Sequence, residues 1–417
     1  MSPPADVPPP TCRVAVACRV RRWWVERRVT LLRLAVAVLS VCAALKLGEG
    51  FWRLVSPRSL TGANDLKFRY AEVQQWFAGQ PIYTQSPHAI CPPATYPMLW
   101  PLLGWLDFTV ARQLWAATSV LLLVALTYLL VKESGAATTL EGALVAVLLL
   151  SMNATGLTIG NGQLTLHLLV PLIASVLFLR RGGAGWVEDL VIALALLVAL
   201  MKPNDSVPFF WLVLFLAGRL RLALLVGVGY VALTLFAAAF QPASLPTLLA
   251  QWFANASAVA ESFGYANLHA WLATIGLERW NFPASLLALM ALGVWTYHHR
   301  HSDLWIVLGV TGIVTRFWTY HLSYDDMWIV LPMIALFRLA TRGPAAGGRD
   351  VLAGVLLAAC TVVMLTPETL RHSPPPWPLL FSLTHTVVWV GMLIFLLDWA
   401  RRFPRWSFGG ALCARMG

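Results

Sequence analysis

Charge is what this chain has least of. Asp, Glu, Lys and Arg make up 12% of its 417 residues, about half the share found in soluble domains. A soluble globular domain is thereby excluded. Cysteine is sparse too. The six residues, at positions 12, 18, 42, 91, 360 and 413, form no Cys-x-x-Cys pair, so neither a disulfide framework nor a zinc site is encoded. There is no Walker loop, no Gly-x-Ser-x-Gly and no His-Glu-x-x-His, which removes a nucleotide cradle, a hydrolase elbow and a zincin helix. No repeat relates the two halves. No cleavable signal is expected, because the basic region runs on through Arg28 and no small-residue cleavage site follows.

What is abundant is apolar. Hydrophobic residues account for 59% of the chain and the mean hydropathy is +0.70. Runs of about 17 to 22 apolar residues, each long enough to cross a bilayer as helix, recur from residue 29 onward. The expected fold class is an all-α polytopic membrane protein. The net charge of +11 does not point to nucleic acid, since the basic residues sit in short clusters between apolar runs, as cytoplasmic loops require. Those clusters are Arg13 to Arg28, Lys132, Arg180-Arg181, Arg219 with Arg221, His298 to His301, Arg338 to Arg349, and Arg401 to Arg405. The 20 Trp suit interfacial belts.

Placing every cluster inside predicts twelve spans, with both termini cytoplasmic. They fall at about 29–50, 108–131, 139–157, 164–180, 186–201, 206–218, 221–240, 282–297, 303–318, 327–338, 351–366 and 380–399. The chain then divides into a basic cytoplasmic segment 1–28, a transmembrane domain 29–400 with outer loops at about 51–95 and 241–281, and a cytoplasmic tail 401–417. The Pro-rich start, Met1 to Pro10, reads as disordered. Residues 93–107, broken by Pro97 and Pro101, read as an interfacial or re-entrant hairpin on the outer side, or else as one short span.

Polar groups are costly in the apolar zone, so their placement carries information. Nearly all the non-basic polar residues fall at predicted outer ends, and the span interiors are almost free of charge. A proton-coupled transporter would hold ionisable groups near the midplane; an enzyme working at the outer interface would hold them here. From Asp65 onward, Leu66, Tyr70, Val73 and Phe77 recur at helical spacing and predict a helix lying on the interface. Asp65 is either the cap of that helix or a catalytic carboxylate. Lys202-Pro203 is either a snorkelling interfacial lysine or a cation for a lipid phosphate. Arg316 to His321 is either an aromatic belt with a bonded His or part of a site. Gly160 to Gln163 reads first as an outer turn and second as a place where Gln163 meets substrate. Adjacent Asp325 and Asp326 would diverge by about 100° on a helix, a poor start for a metal. The His298 to His301 tract is read as loop charge. Asn-x-Ser/Thr triplets at Asn153, Asn204 and Asn255 carry little weight alone. With no nucleotide loop present, an activated substrate would arrive in another form, such as a lipid-linked one.

The order of short motifs resembles glycosyltransferase family 87. Asn64-Asp65 and Tyr70 in a first outer loop are followed by Gly79, Tyr83, Tyr96-Pro97, Pro101-Leu102-Leu103 and Leu114-Trp115, and later by Gly162-Gln163, Lys202-Pro203 and the aromatic-His segment at 318–321. Two features depart from the family pattern. Tyr96-Pro97-Met98 stands where Tyr-Pro-Pro is usual, and Thr319-Tyr320-His321 lacks a Ser-Trp and paired His. The resemblance covers roughly residues 30–340. It implies a GT-C fold and transfer of a sugar, usually mannose, from a polyprenyl-phosphate donor on the extracytoplasmic face of the cell membrane, to a lipid-linked or glycan acceptor. It also implies that the first-loop Asp, here Asp65, acts as general base in an inverting displacement, with no metal and no cofactor besides the donor. The candidate substrate-binding residues are Lys202, His321, Arg316, Tyr96 and Gln163. The alternative class is a twelve-span secondary transporter or lipid flippase.

Overall fold

The computed structural model describes residues 12–56, 59, 62–180, 185–217, 219–262, 266–342 and 348–403. Met1 to Pro10 and most of the expected tail lie outside them. No strand occurs among the described residues. The first helices are α1 (Cys12–Val55), α2 (Asn64–Phe77), α3 (Ile82–Gln85), α4 (Thr95–Leu103), α5 (Phe108–Ser134), α6 (Thr139–Ser151) and α7 (Asn153–Asn161). Next come α8 (Thr165–Leu179), α9 (Trp186–Ala199), α10 (Pro203–Ala217), α11 (Leu220–Ala238), α12 (Leu245–Ser262) and α13 (Leu268–Thr274). The last are α14 (Asn281–His298), α15 (Leu304–Phe317), α16 (Val330–Arg342), α17 (Arg349–Leu365) and α18 (Trp377–Arg402).

A helix stands at each of the twelve expected positions, but the helices are unequal. Among the described residues, four are long and apolar enough to cross a membrane: Glu26–Val55 within α1, α5, α11 and α18. The pair α6 and α7, bent by 51° at Met152, would make a fifth. The shortfall elsewhere has local causes. At about 1.5 Å per residue, the 14 residues of α9 fall short of a hydrocarbon layer of about 30 Å. Lys202 and Pro203 separate α9 from α10, and a 3-10 segment at Ser323–Ile329 precedes α16. Three further expectations meet a definite answer. Residues 93–107 hold the nine-residue α4, too short for a span. From Cys12 onward, the basic segment and the first span are one continuous helix, α1. The stretch 241–281, expected as an outer loop, contains α12 and α13.

The helices sort by burial. α15 and α16 are apolar almost all round and form the centre, with α8 beside them. Around them, α1, α5, α9, α11, α14, α17 and α18 turn large apolar side chains outward, among them Leu45, Leu121, Val191, Val228, Leu287 and Val362. An apolar exterior around a centre that is itself apolar is the arrangement a bilayer calls for.

Ion pairs and side-chain hydrogen bonds fasten helix ends into two rims. On one, Arg28 pairs with Glu141, Asp189 with Arg219, Asp303 with Arg338, and Asp398 with Arg349. Each pair joins ends that the basic clusters placed on the same side. The opposite rim carries Arg53–Asn161, Lys202–Asp325, Arg316–Asp326 and Ser323–Glu368.

Glycine sets the contact between α1 and α7. A Cβ on Gly50 would lie 2.7 Å from Gly156 O, and one on Gly156 would lie 3.0 Å from Lys46 O. The two backbones touch because neither side chain intervenes. α7 then ends in a left-handed turn at Gly162, φ +68°, with Gln163 N–H reaching back to Thr158 O at 2.9 Å. The expected turn is there, and it does more than reverse the chain. A Cβ on Gly162 would meet Leu66 Cβ of α2 at 2.6 Å. Gly162→Ala is therefore expected to cost about 2–4 kcal/mol, from backbone strain and overpacking together. It should lower the melting temperature in detergent, whereas Gly48→Ala, whose Cβ would meet nothing within 4 Å, should not. Equal melting of the two variants would refute the packing role.

Candidate functional site

Beside Lys202 of the second rim opens a cavity of about 470 Å3. It lies where helices break: Asp65 borders it from the first turn of α2, Gln163 from just before α8, Lys202 and Asn204 from the start of α10, and Asn281 from the start of α14. Irregular backbone at such breaks is tolerated where it lines a cavity. Each helix start also brings the positive end of its dipole.

α2 begins abruptly. Ala63, fully buried, takes a left-handed φ of 54° and donates its N–H to Gly160 O at 2.8 Å. The cap position is Ala63, with no side-chain cap, and Asp65 sits inside the first turn. The capping reading of Asp65 does not describe its position. Its half-buried carboxylate is hydrogen-bonded by the Gln163 side chain. Burial pushes the Asp65 carboxyl above the usual range, and the nearby Asp325 charge adds to this; the Gln163 bond and the Arg69 and Lys202 charges pull the other way.

Four and seven residues further on, Arg69 and Glu72 share that face of α2. Arg69 borders the cavity. It pairs with Glu72 at 2.6 Å and donates to Cys91 Sγ and to His88 O, each at 2.8 Å. Burial pushes the Glu72 carboxyl up to about 7, against the pull of Arg69. Neither residue was singled out from the sequence, although their spacing from Asp65 was there to read.

Lys202 also borders the cavity, but its ammonium is committed. It contacts Asp325 Oδ1, lies 3.1 Å from Asp205 Oδ2, and stands 5.0 Å from the centre of the Tyr324 ring. Thr165 donates to Asp325 Oδ1 at 3.1 Å and the Leu322 N–H to Oδ2 at 3.1 Å. His321 completes the group from behind. Fully buried, its Nδ1 lies 3.1 Å from Asp205 Oδ1 and 3.4 Å from Asp325 Oδ2, so this nitrogen carries the proton that the carboxylates accept. His321 does not border the cavity. Donor atoms of Asp205, His321 and Asp325 lie within 4.8 Å of one another, a spacing a metal could use. The Lys202 ammonium already supplies the counter-charge, and a metal beside it would place two cations in one buried cluster.

Two other sequence candidates lie away from the cavity. Arg316, 1% exposed, pairs with Asp326 and rests 5.2 Å above the Trp389 ring. Asp325 and Asp326 thus turn to different partners, as adjacent carboxylates should. Tyr96 is fully buried, stacked on Trp76 at 4.3 Å, with its hydroxyl 3.5 Å from Glu72 Oε2; it backs the Arg69–Glu72 pair. Of the six residues expected at the site, Asp65, Gln163 and Lys202 share the cavity wall, His321 braces Lys202, and Tyr96 and Arg316 stand outside. No family model, no curated protein and no solved structure matches this chain.

Proposed function

We propose that the chain is an inverting membrane glycosyltransferase of the GT-C type, similar to family 87. It would move a sugar, mannose in that family, from a polyprenyl-phosphate donor to a lipid-linked or glycan acceptor on the extracytoplasmic face of the cell membrane. The observation that carries this reading is Asp65: a carboxylate hydrogen-bonded by Gln163, pushed up by burial, on the wall of a 470 Å3 cavity. A raised carboxyl is better matched to taking a proton near neutral pH. Trp252, Phe253, Phe282 and Leu286 line the same cavity with apolar surface, which suits a lipid-borne donor.

In the reaction, an acceptor hydroxyl attacks the anomeric carbon as the bond from that carbon to the phosphate oxygen breaks. Asp65 takes the hydroxyl proton, the phosphate leaves with the bonding pair, and the anomeric configuration inverts. The twelve-span topology with both termini cytoplasmic belongs to the same proposal; it draws support from the two rims of paired helix ends.

Purified protein in lipid nanodiscs, given radiolabelled polyprenyl-phosphate-mannose and a membrane lipid extract, is expected to yield a labelled product of inverted configuration. An impermeant thiol reagent should reach single cysteines placed near either terminus only after cells are permeabilised. Lipid flipping in proteoliposomes without any sugar transfer would sink the transferase reading in favour of the flippase.

A further inference from the structure

A departing phosphate needs positive charge, and the obvious cations are already engaged. Lys202 serves Asp205 and Asp325, Arg69 serves Glu72, and Arg316 serves Asp326. One cation on the cavity wall is different. Arg279, in the short 3-10 turn Glu278–Trp280 that leads into α14, is exposed at the cavity edge and forms no hydrogen bond, ion pair or ring contact among the described residues. The first turns of α10 and α14 open onto the same cavity, and the positive ends of those helices favour an anion there.

A second, independent feature adjoins it. His269 is 8% exposed, and its Nε2 lies 2.7 Å from Ser285 Oγ. Ser285 gives its one proton to Trp318 O, so His269 Nε2 must be the donor to Ser285. That leaves His269 Nδ1, a buried atom without a hydrogen-bond partner, as an acceptor. Asn281 Oδ1 is likewise buried and unpartnered; it lies one turn before Ser285 on the same face of α14. Both residues border the cavity. Unpaired acceptors of this kind call for hydroxyl donors on a ligand.

We propose that Arg279 captures the phosphate ester of the donor, and that His269 and Asn281 accept hydrogen bonds from hydroxyls of the same ligand. The ligand class rests on the transferase reading; the anion subsite itself does not. Glu278 also borders the cavity and works against the anion.

The test is binding of farnesyl phosphate and of farnesol to the full chain in phosphatidylcholine nanodiscs. Arg279→Gln is expected to weaken farnesyl phosphate by about tenfold or more, the order of one lost charge-assisted pair. Arg279→Lys should recover part of the loss, Glu278→Gln should tighten binding, and farnesol should bind all four proteins alike. An Arg279→Gln protein that holds farnesyl phosphate as tightly as wild type overturns the subsite, and so does a wild type that binds phosphate and alcohol equally. Arg279-dependent binding with no transfer to any acceptor would leave the subsite standing and sink the transferase reading.

Discussion

Asp65→Asn is expected to cut sugar transfer by roughly 10²–10⁴-fold, the usual contribution of a general base, with the donor KM little changed. The substitution is nearly isosteric and can keep a hydrogen bond to Gln163. It removes no helix cap, since the cap position is Ala63, so the variant should fold and melt like wild type. The pH profile offers a second reading of the same group. The base must be ionised to act, and burial raises the Asp65 carboxyl above its ordinary value. In wild type, kcat/KM should therefore rise with pH through that raised value and fall away below it, at a higher pH than an ordinary carboxylate, near 4, would give. The residual rate of Asp65→Asn should lack that limb. Transfer by the Asn variant at near wild-type rate would remove Asp65 from the chemistry.

Lys202→Met is expected to have the largest effect on stability. It leaves Asp205 and Asp325, 0% and 1% exposed, without the ammonium they share, and an uncompensated buried charge costs about 3–5 kcal/mol. The melting temperature in detergent should fall sharply, and Lys202→Met with Asp325→Asn should recover part of the loss. The measurement separates two roles that activity alone would confuse. A lysine kept mainly to hold substrate phosphate would, on replacement, lose activity and keep its melting point. A melting point close to wild type would therefore refute the bracing role.

The large divisions of the chain were legible because they depend on composition. Long apolar runs and basic clusters place α5, α8, α15 and α18 within a few residues, while α1 begins far earlier than the expected 29–50, and the spacing of Leu66, Tyr70, Val73 and Phe77 located α2. Lys202-Pro203 was legible as a break because proline cannot continue a helix ladder. The pairing of charges was not. Which cation takes Asp325 and which takes Asp326 depends on how α10 and α15 are rotated against the Ser323–Ile329 segment, a tertiary property that hydropathy does not carry. α12 was missed for a related reason: Leu245–Ser262 mixes small, polar and apolar residues with little charge, so it resembled neither a span nor a basic loop. Arg69, Glu72 and Arg279 were passed over singly, because an ionisable residue in an outer loop is ordinary until its neighbours are known.

The glycine seam between α1 and α7 has a mechanical consequence. Backbone presses on backbone there, and the seam is prolonged by the Arg53–Asn161 bond and by Ala63 N–H on Gly160 O. The side of the cavity that carries Asp65 and Gln163 is therefore an anvil: displacing it would separate two helices along their length. α12, which also borders the cavity through Trp252 and Phe253, is tied to residues 83–90 by the Trp252 indole on Ile90 O and the Asn255 amide shared among Tyr83 O, Ser86 O and Ala89 O. Those bonds can be exchanged one at a time with water, so α12 can part from that loop more easily than α1 can part from α7.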